Sequence, residues 1–189
     1  MLNVKYFAYG SNIDIERLRF RVETHLEPLR EGTPYILQNY KLIFNAGAMY
    51  GAHCYANIIP QQGESVEGIL YDMTPEQFDS LDRYEVLYNK HYFFIDNTTI
   101  GCAYIAKKQH TDRRPKKPTL EYLNIIIDGC RATGLNRTYN QLLEYKLKNY
   151  KLKNNKHKTV VRNNSGTVNT NGIVRTGVLS QVAFFRNYP

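Results

Sequence analysis

Tyr6-Phe7-Ala8-Tyr9-Gly10-Ser11-Asn12 is the stretch on which the reading of this chain turns. The aromatic run that opens at Asn3 and stops at Gly10 predicts a strand meeting a turn. Ser11 followed three residues later by Asp14 has the spacing of a capping box. Ile15, Leu18 and Val22 then recur at helical intervals, while Arg17 and Arg21 share the other face. A short helix is therefore expected over about residues 12 to 22. A strand that ends in a glycine turn and enters a capped helix gathers several backbone N–H groups at one point. Those unpaired amides and the helix dipole both favour negative charge. Two readings stay open from the residues alone: a capped turn and nothing more, or an anion-binding loop.

Working outward, strands are expected at Tyr35–Phe44, His53–Ile59, Val66–Met73, Tyr92–Ile95 and Thr99–Ala106. Pro60-Gln61-Gln62-Gly63 is read as the break between the second and third of these, and Asp96-Asn97 as the turn between the last two. Pro28 to Pro34 reads as a polar connection, and Lys107 to Pro118 as a basic loop. Thr74-Pro75-Glu76-Gln77 predicts a helix start, with Thr as N-cap, Pro at the first position and Gln closing the box. A helix over Leu120–Ala132 is expected to stop at Gly134, and another to run from about Arg137 to Tyr150. With six strands or so among helices, the expected class is α+β.

The 189 residues suit one domain with an appendage, and sixteen Tyr and eight Phe supply the large rings of a core that has no Trp. No charged lead precedes an apolar stretch at the amino terminus, and nowhere do apolar residues run long enough to span a membrane. Cys54, Cys102 and Cys130 are odd in number and far apart, which reads as reduced thiols in a cytoplasmic protein. The five His show no metal-ligand spacing, so no metal site is expected. The net charge of +8 is unevenly placed: residues 145 to 189 hold nine Lys and Arg with no acid, while the body carries a net of −1. Residues 151 to 175 are dense in Asn, Lys, Thr and Gly, so the chain divides at 150 into a domain and a basic, weakly ordered extension.

Glu85 is the candidate for chemistry. On the helix begun by Thr74 it falls seven residues after Phe78 and four after Leu81, on the same apolar face. A carboxylate desolvated there has its pKa raised, which is what a carboxylate general base needs near neutral pH. The alternatives are a buried Glu paired with Lys or Arg, or a helix that ends before it. Tyr122 shares a helical stripe with Ile125 and Ile126, a spacing that fits core packing as readily as ligand contact.

Together these segments resemble the gamma-glutamylcyclotransferase family. Tyr6-Phe7-Ala8-Tyr9-Gly10-Ser11-Asn12 resembles that family's substrate-binding loop. Val66-Glu67-Gly68-Ile69-Leu70-Tyr71, then a helix with Leu81, Asp82 and Glu85, is similar to the stretch leading to its catalytic glutamate. Tyr122 with Ile125, Ile126, Gly129 and Gly134-Leu135 resembles the later helix whose Tyr contacts substrate. The resemblance covers roughly residues 4 to 145 and implies a small β-barrel flanked by helices. It also implies Glu85 as catalytic base, the loop residues 6 to 12 and Tyr122 as substrate contacts, no cofactor, and a gamma-glutamyl small molecule cyclised to 5-oxoproline. Val86 stands where the family usually has Gly; a β-branched residue avoids positive φ, so a different turn is expected there. Two other readings belong to other classes: a binding or regulatory module of the same fold without turnover, and a nucleic-acid contact through the basic tail.

Overall fold

A computed structural model describes residues 3–22, 28–47, 52–114 and 116–150. The basic tail, its expected weak order and its suggested nucleic-acid contact lie outside the described residues.

The strands are β1 (Asn3–Ala8), β2 (Thr33–Ala46), β3 (Tyr55–Asp72), β4 (Tyr88–Phe94) and β5 (Thr99–Ala106). The helices are α1 (Ile15–Val22), α2 (Pro75–Asp82), α3 (Leu120–Thr133) and α4 (Asn136–Asn149), with a 3₁₀ turn at Ser11–Ile13 between β1 and α1. One sheet holds all five strands in the order β2-β3-β1-β5-β4. β1 lies at its centre, antiparallel to β3 (Phe7 opposite Leu70) and parallel to β5 (Tyr6 opposite Cys102). A central strand is covered on both faces, so it needs apolar residues at consecutive positions rather than alternate ones. Tyr6, Phe7, Ala8 and Tyr9 meet that need, each at most 5% exposed.

The expected class is found, with two corrections. The segments read as separate strands on either side of Pro60–Gly63 form one strand of 18 residues, Tyr55–Asp72. The hairpin absorbs Pro60–Gly63 as a bulge: the register slips between Gln38 and Tyr40, where Asn39 (φ 61°) faces Gly63 (φ 82°). The Gly63 amide donates to Asn39 Oδ1 at 3.2 Å, so both strands bend together and neither ends. Secondly, the sheet does not close into a barrel: β2 and β4 are its edges and do not pair. They are nevertheless brought together by side chains. The rings of Tyr35 and Phe93 stack at 6.1 Å, and Tyr40 Oη lies 2.8 Å from His91 Nε2. Phe93 sits opposite Gly101 and covers it so closely that a Cβ there would stand 2.2 Å from the ring.

Local signals explain the helices. Thr74 and Gln77 form the reciprocal capping box at the start of α2, with Pro75 at its first position. α3 ends at Gly134 with φ 73°, the left-handed conformation that glycine takes without a Cβ penalty. The first helix departs from expectation. Ser11 begins the 3₁₀ turn, α1 starts at Ile15, and it is Asp14 Oδ1 that accepts the amides of Glu16 (3.1 Å) and Arg17 (3.2 Å). α3 packs on this turn through Gly129, where a Cβ would stand 3.0 Å from Ile13 Cγ2 and 3.1 Å from the Asp14 amide. Cys54, Cys102 and Cys130 are free and buried. No helix among the described residues is long and apolar enough to cross a membrane.

Candidate active site

Glu85 lies just past α2. The helix ends at Asp82, which is held by Lys90 Nζ and Tyr104 Oη, each at 2.7 Å. The placement of Glu85 on a helix face is thereby corrected: it occupies the turn into β4. The Glu85 amide still reaches Leu81 O at 3.1 Å, so the helical path carries the side chain inward although the helix is over. The turn is fastened from the other side too, where Lys107 Nζ donates to Val86 O (2.8 Å) and the Lys107 amide to Leu87 O (2.9 Å). Val86 itself points outward at 59% exposure, and Asn39 is the one non-glycine of positive φ among the described residues. The turn after Glu85 therefore has no need of glycine.

Around the Glu85 carboxylate, five elements converge: β1, the 3₁₀ turn, α1, β4 and α3. Asn12 Nδ2 donates to Glu85 Oε1 (3.1 Å) and to Tyr6 Oη (2.8 Å). Arg21 Nη1 donates to Asn12 Oδ1 at 2.8 Å and lies 3.4 Å from Glu85 Oε1. The Glu85 side chain is only 12% exposed. Burial pushes its pKa up, and Arg21, Asn12 and Arg17 oppose that rise without cancelling it. Tyr6, Tyr9, Tyr88 and Tyr122 are buried hydroxyls raised mainly by desolvation, and Glu85 raises each of them further. They remain neutral donors and acceptors around a single carboxylate.

The loop and Tyr122 meet at Ala56 on β3. Tyr122 Oη accepts the Ala56 amide at 3.2 Å, and Tyr88 Oη donates to the Ala56 carbonyl at 2.9 Å. Gly10 lies over this point, since a Cβ on it would meet Ala56 Cβ and Tyr122 Oη, each at 3.4 Å. The Ser11 side chain lies close enough to Tyr122 to oppose the rise in that tyrosine's pKa. Tyr9 Oη donates to Tyr104 O, tying the loop to β5. Phe7 and Ala8 are fully buried, and the Phe7 ring packs against Tyr35 and Phe93. Tyr6, Tyr9, Gly10, Ser11, Asn12, Glu85 and Tyr122 are thus brought together, whereas the ring of Phe7 belongs to the aromatic layer near the sheet edges.

Arg17, Arg21 and Tyr88 belong to this cluster and were not singled out as site residues. Helical spacing puts Arg17 and Arg21 on the face opposite the core, because it cannot show that a carboxylate 64 residues beyond Arg21 returns to it. Arg17 Nε is buried and has no hydrogen-bond partner among the described residues. A cavity of about 370 Å³ between β2 and α4, lined by Leu42, Phe44, Leu142 and Tyr145 among others, involves none of the Glu85 cluster.

A buried carboxylate beside a glycine loop, ringed by tyrosines and two arginines, is a site suited to acid–base work on a small polar molecule. The family described as gamma-glutamyl cyclotransferase, AIG2-like, matches residues 6–124. The chain belongs to that family. It is 27% identical over 146 residues to the gamma-glutamylcyclotransferase of Bos taurus, covering 73% of this chain and 76% of that protein. The gamma-glutamylcyclotransferase of Homo sapiens is 26% identical over 155 residues, covering 74% of this chain and 76% of the relative. A solved structure named gamma-glutamyl cyclotransferase superposes with a TM-score of 0.61 at 24% identity, over 82% of this chain and 92% of that one. These likenesses agree with the fold described above.

Proposed function

We propose that this chain is a gamma-glutamylcyclotransferase, which closes a gamma-glutamyl compound on itself to give 5-oxoproline and a free amine or amino acid. The observation that carries this reading is the Glu85 carboxylate: desolvated, pushed up in pKa, and bonded to Asn12 of the glycine loop.

A gamma-glutamyl compound carries its own nucleophile, the α-amine, at five-membered-ring distance from the γ-carbonyl. Glu85 takes a proton from the α-ammonium, the freed amine attacks the γ-carbonyl carbon, and the C–N bond to the departing group breaks. The two protons lost by the α-nitrogen are the two that the departing nitrogen gains, so no water and no cofactor is consumed. A carboxyl whose pKa is raised toward neutrality is a better match for this transfer than an ordinary one. Ring closure within one bound molecule draws on proximity, where effective molarities reach about 10⁵ M or more. The amides of Gly10, Ser11 and Asn12 are assigned to the substrate carboxylate or the oxyanion. Tyr6, Tyr9 and Tyr122 shape the cleft, and Phe7 and Ala8 contribute through their backbone. The buried Arg17 Nε, without a hydrogen-bond partner among the described residues, suits a substrate carboxylate as well. Three free, buried cysteines fit a reducing, cytoplasmic setting.

The test is to offer purified protein a panel of gamma-glutamyl amino acids, gamma-glutamyl amines and glutathione while measuring 5-oxoproline. Release from one class names the leaving group; release from none overturns the reading.

A further inference from the structure

Arg21 occupies an unusual position between the loop and Glu85. Its Nη1 donates to Asn12 Oδ1 at 2.8 Å and stands 3.4 Å from Glu85 Oε1, while its Cζ lies 5.2 Å above the centre of the Tyr84 ring. The side chain is 17% exposed, so these contacts are sheltered from bulk water. An arginine can only donate hydrogen bonds, and an asparagine amide has one donating and one accepting end. With Arg21 on the Oδ1 side, Nδ2 of Asn12 must face Glu85 and Tyr6, as found.

We infer that Arg21 is a positioning residue for the reaction: it fixes the direction of the Asn12 amide and supplies the counter-charge that offsets the burial of Glu85. The groups facing Glu85 are Tyr6 and Tyr9 from β1 and its end, Asn12 from the 3₁₀ turn, Arg17 and Arg21 from α1, Tyr88 from β4 and Tyr122 from α3. The tyrosines are neutral, which leaves the two arginines as the charges, and Arg21 is the stronger influence. A base desolvated without such a partner would hold its proton too tightly to begin the reaction. This rests on the reading of Glu85 as general base.

The experiment compares Arg21→Met with Arg21→Lys in the full chain, following kcat/KM across pH and the Glu85 carboxyl carbon by NMR. That resonance is identified by its loss in Glu85→Gln. In Arg21→Met the carboxyl titration and the acid limb of kcat/KM are expected to move together to higher pH. On the acid side of neutrality kcat/KM then falls about tenfold or more and recovers as the medium is made alkaline. Arg21→Lys keeps a charge without the planar fork, so it returns the titration toward that of the unaltered protein. Should Arg21→Met not fold, Arg21→Gln removes the charge while keeping a donor for Asn12. A uniform loss at every pH, with Glu85 titrating as before, would reduce Arg21 to packing and overturn the inference. The NMR titration needs no turnover. A protein that forms no 5-oxoproline yet shows the shift keeps Arg21 as the counter-charge of Glu85 and loses the proposed reaction, and with it the positioning role.

Discussion

The amide of Asn12 and the carboxylate of Glu85, 73 residues apart in the chain, meet at 3.1 Å. Asn12 is placed by the turn after β1, Glu85 by the turn after α2, and neither turn touches the other in sequence. Their contact joins the loop to the base. If Glu85 is that base, Glu85→Gln keeps shape and the Asn12 hydrogen bond but removes basicity. Turnover is expected to fall by about 10² or more while ligand binding survives, measured as 5-oxoproline release beside direct titration with 5-oxoproline. Undiminished release would remove Glu85 from the mechanism.

The raised pKa of Glu85 also makes a prediction about stability. An acid whose folded pKa lies above its unfolded value binds protons better when folded. Its contribution is therefore present at acid pH and lost as pH rises through the folded pKa. Ionised Glu85 costs stability at neutral pH, so Glu85→Gln is expected to melt higher than the unaltered protein there. That advantage should shrink on acidification. Melting curves across pH decide it, and a variant less stable at neutral pH would contradict the burial argument.

Gly10 has φ −114°, outside the left-handed region that favours glycine. A single methyl at 3.4 Å from Ala56 Cβ and Tyr122 Oη makes ordinary contact, whereas the branched methyls of valine would press into the same gap. Gly10→Ala is expected to bind 5-oxoproline nearly as well as the unaltered protein, and Gly10→Val to lose binding while remaining folded. Equal affinity in both variants would place the ligand elsewhere.

Gly129 lies outside the cluster but against the turn that builds it. Gly129→Ala puts a methyl 3.1 Å from the Asp14 amide, backbone that cannot swing aside as a side-chain end would. The turn must shift by tenths of an ångström, and Asn12 with it. The expected result is about 1–3 kcal/mol of destabilisation and a fall in kcat larger than the loss of fold explains. Unaltered kcat would show that the loop tolerates displacement.

The family match ends at residue 124, and every member of the Glu85 cluster precedes it. We propose the division at 150: a chain ending near Tyr150 is expected to stay folded and to form 5-oxoproline. If the tail binds nucleic acid, the full chain alone should show an affinity that drops steeply with salt. Aggregation of the shortened chain would move the boundary.

Sequence gave away most where one residue alone determines the local backbone. Thr74, Pro75 and Gln77 announce α2, and Gly134 announces the end of α3, because capping and left-handed φ act within a few residues. It was less informative where a partner strand or a distant side chain decides. Pro60 and Gly63 look like a break until Asn39 bulges opposite them. Phe78 and Leu81 correctly point to the buried side of α2, but periodicity cannot see that the helix stops at Asp82. Arg17 and Arg21 look solvated in isolation, and only the return of Glu85 gives them a charge to face.

The two sheet edges meet through rings rather than through backbone. Neither β2 nor β4 has a strand of the sheet on its outer side, although residues 110–112 bond to the end of β2 around Ala46, and such an edge is a template on which another chain can add a strand. The Tyr35–Phe93 stack and the Tyr40–His91 contact draw these edges toward one another, so that an incoming strand would have to part the aromatic pairs first. The rings thus act as a guard against self-association. Damage there should appear first as concentration-dependent clumping of an otherwise folded protein, well before any change at Glu85.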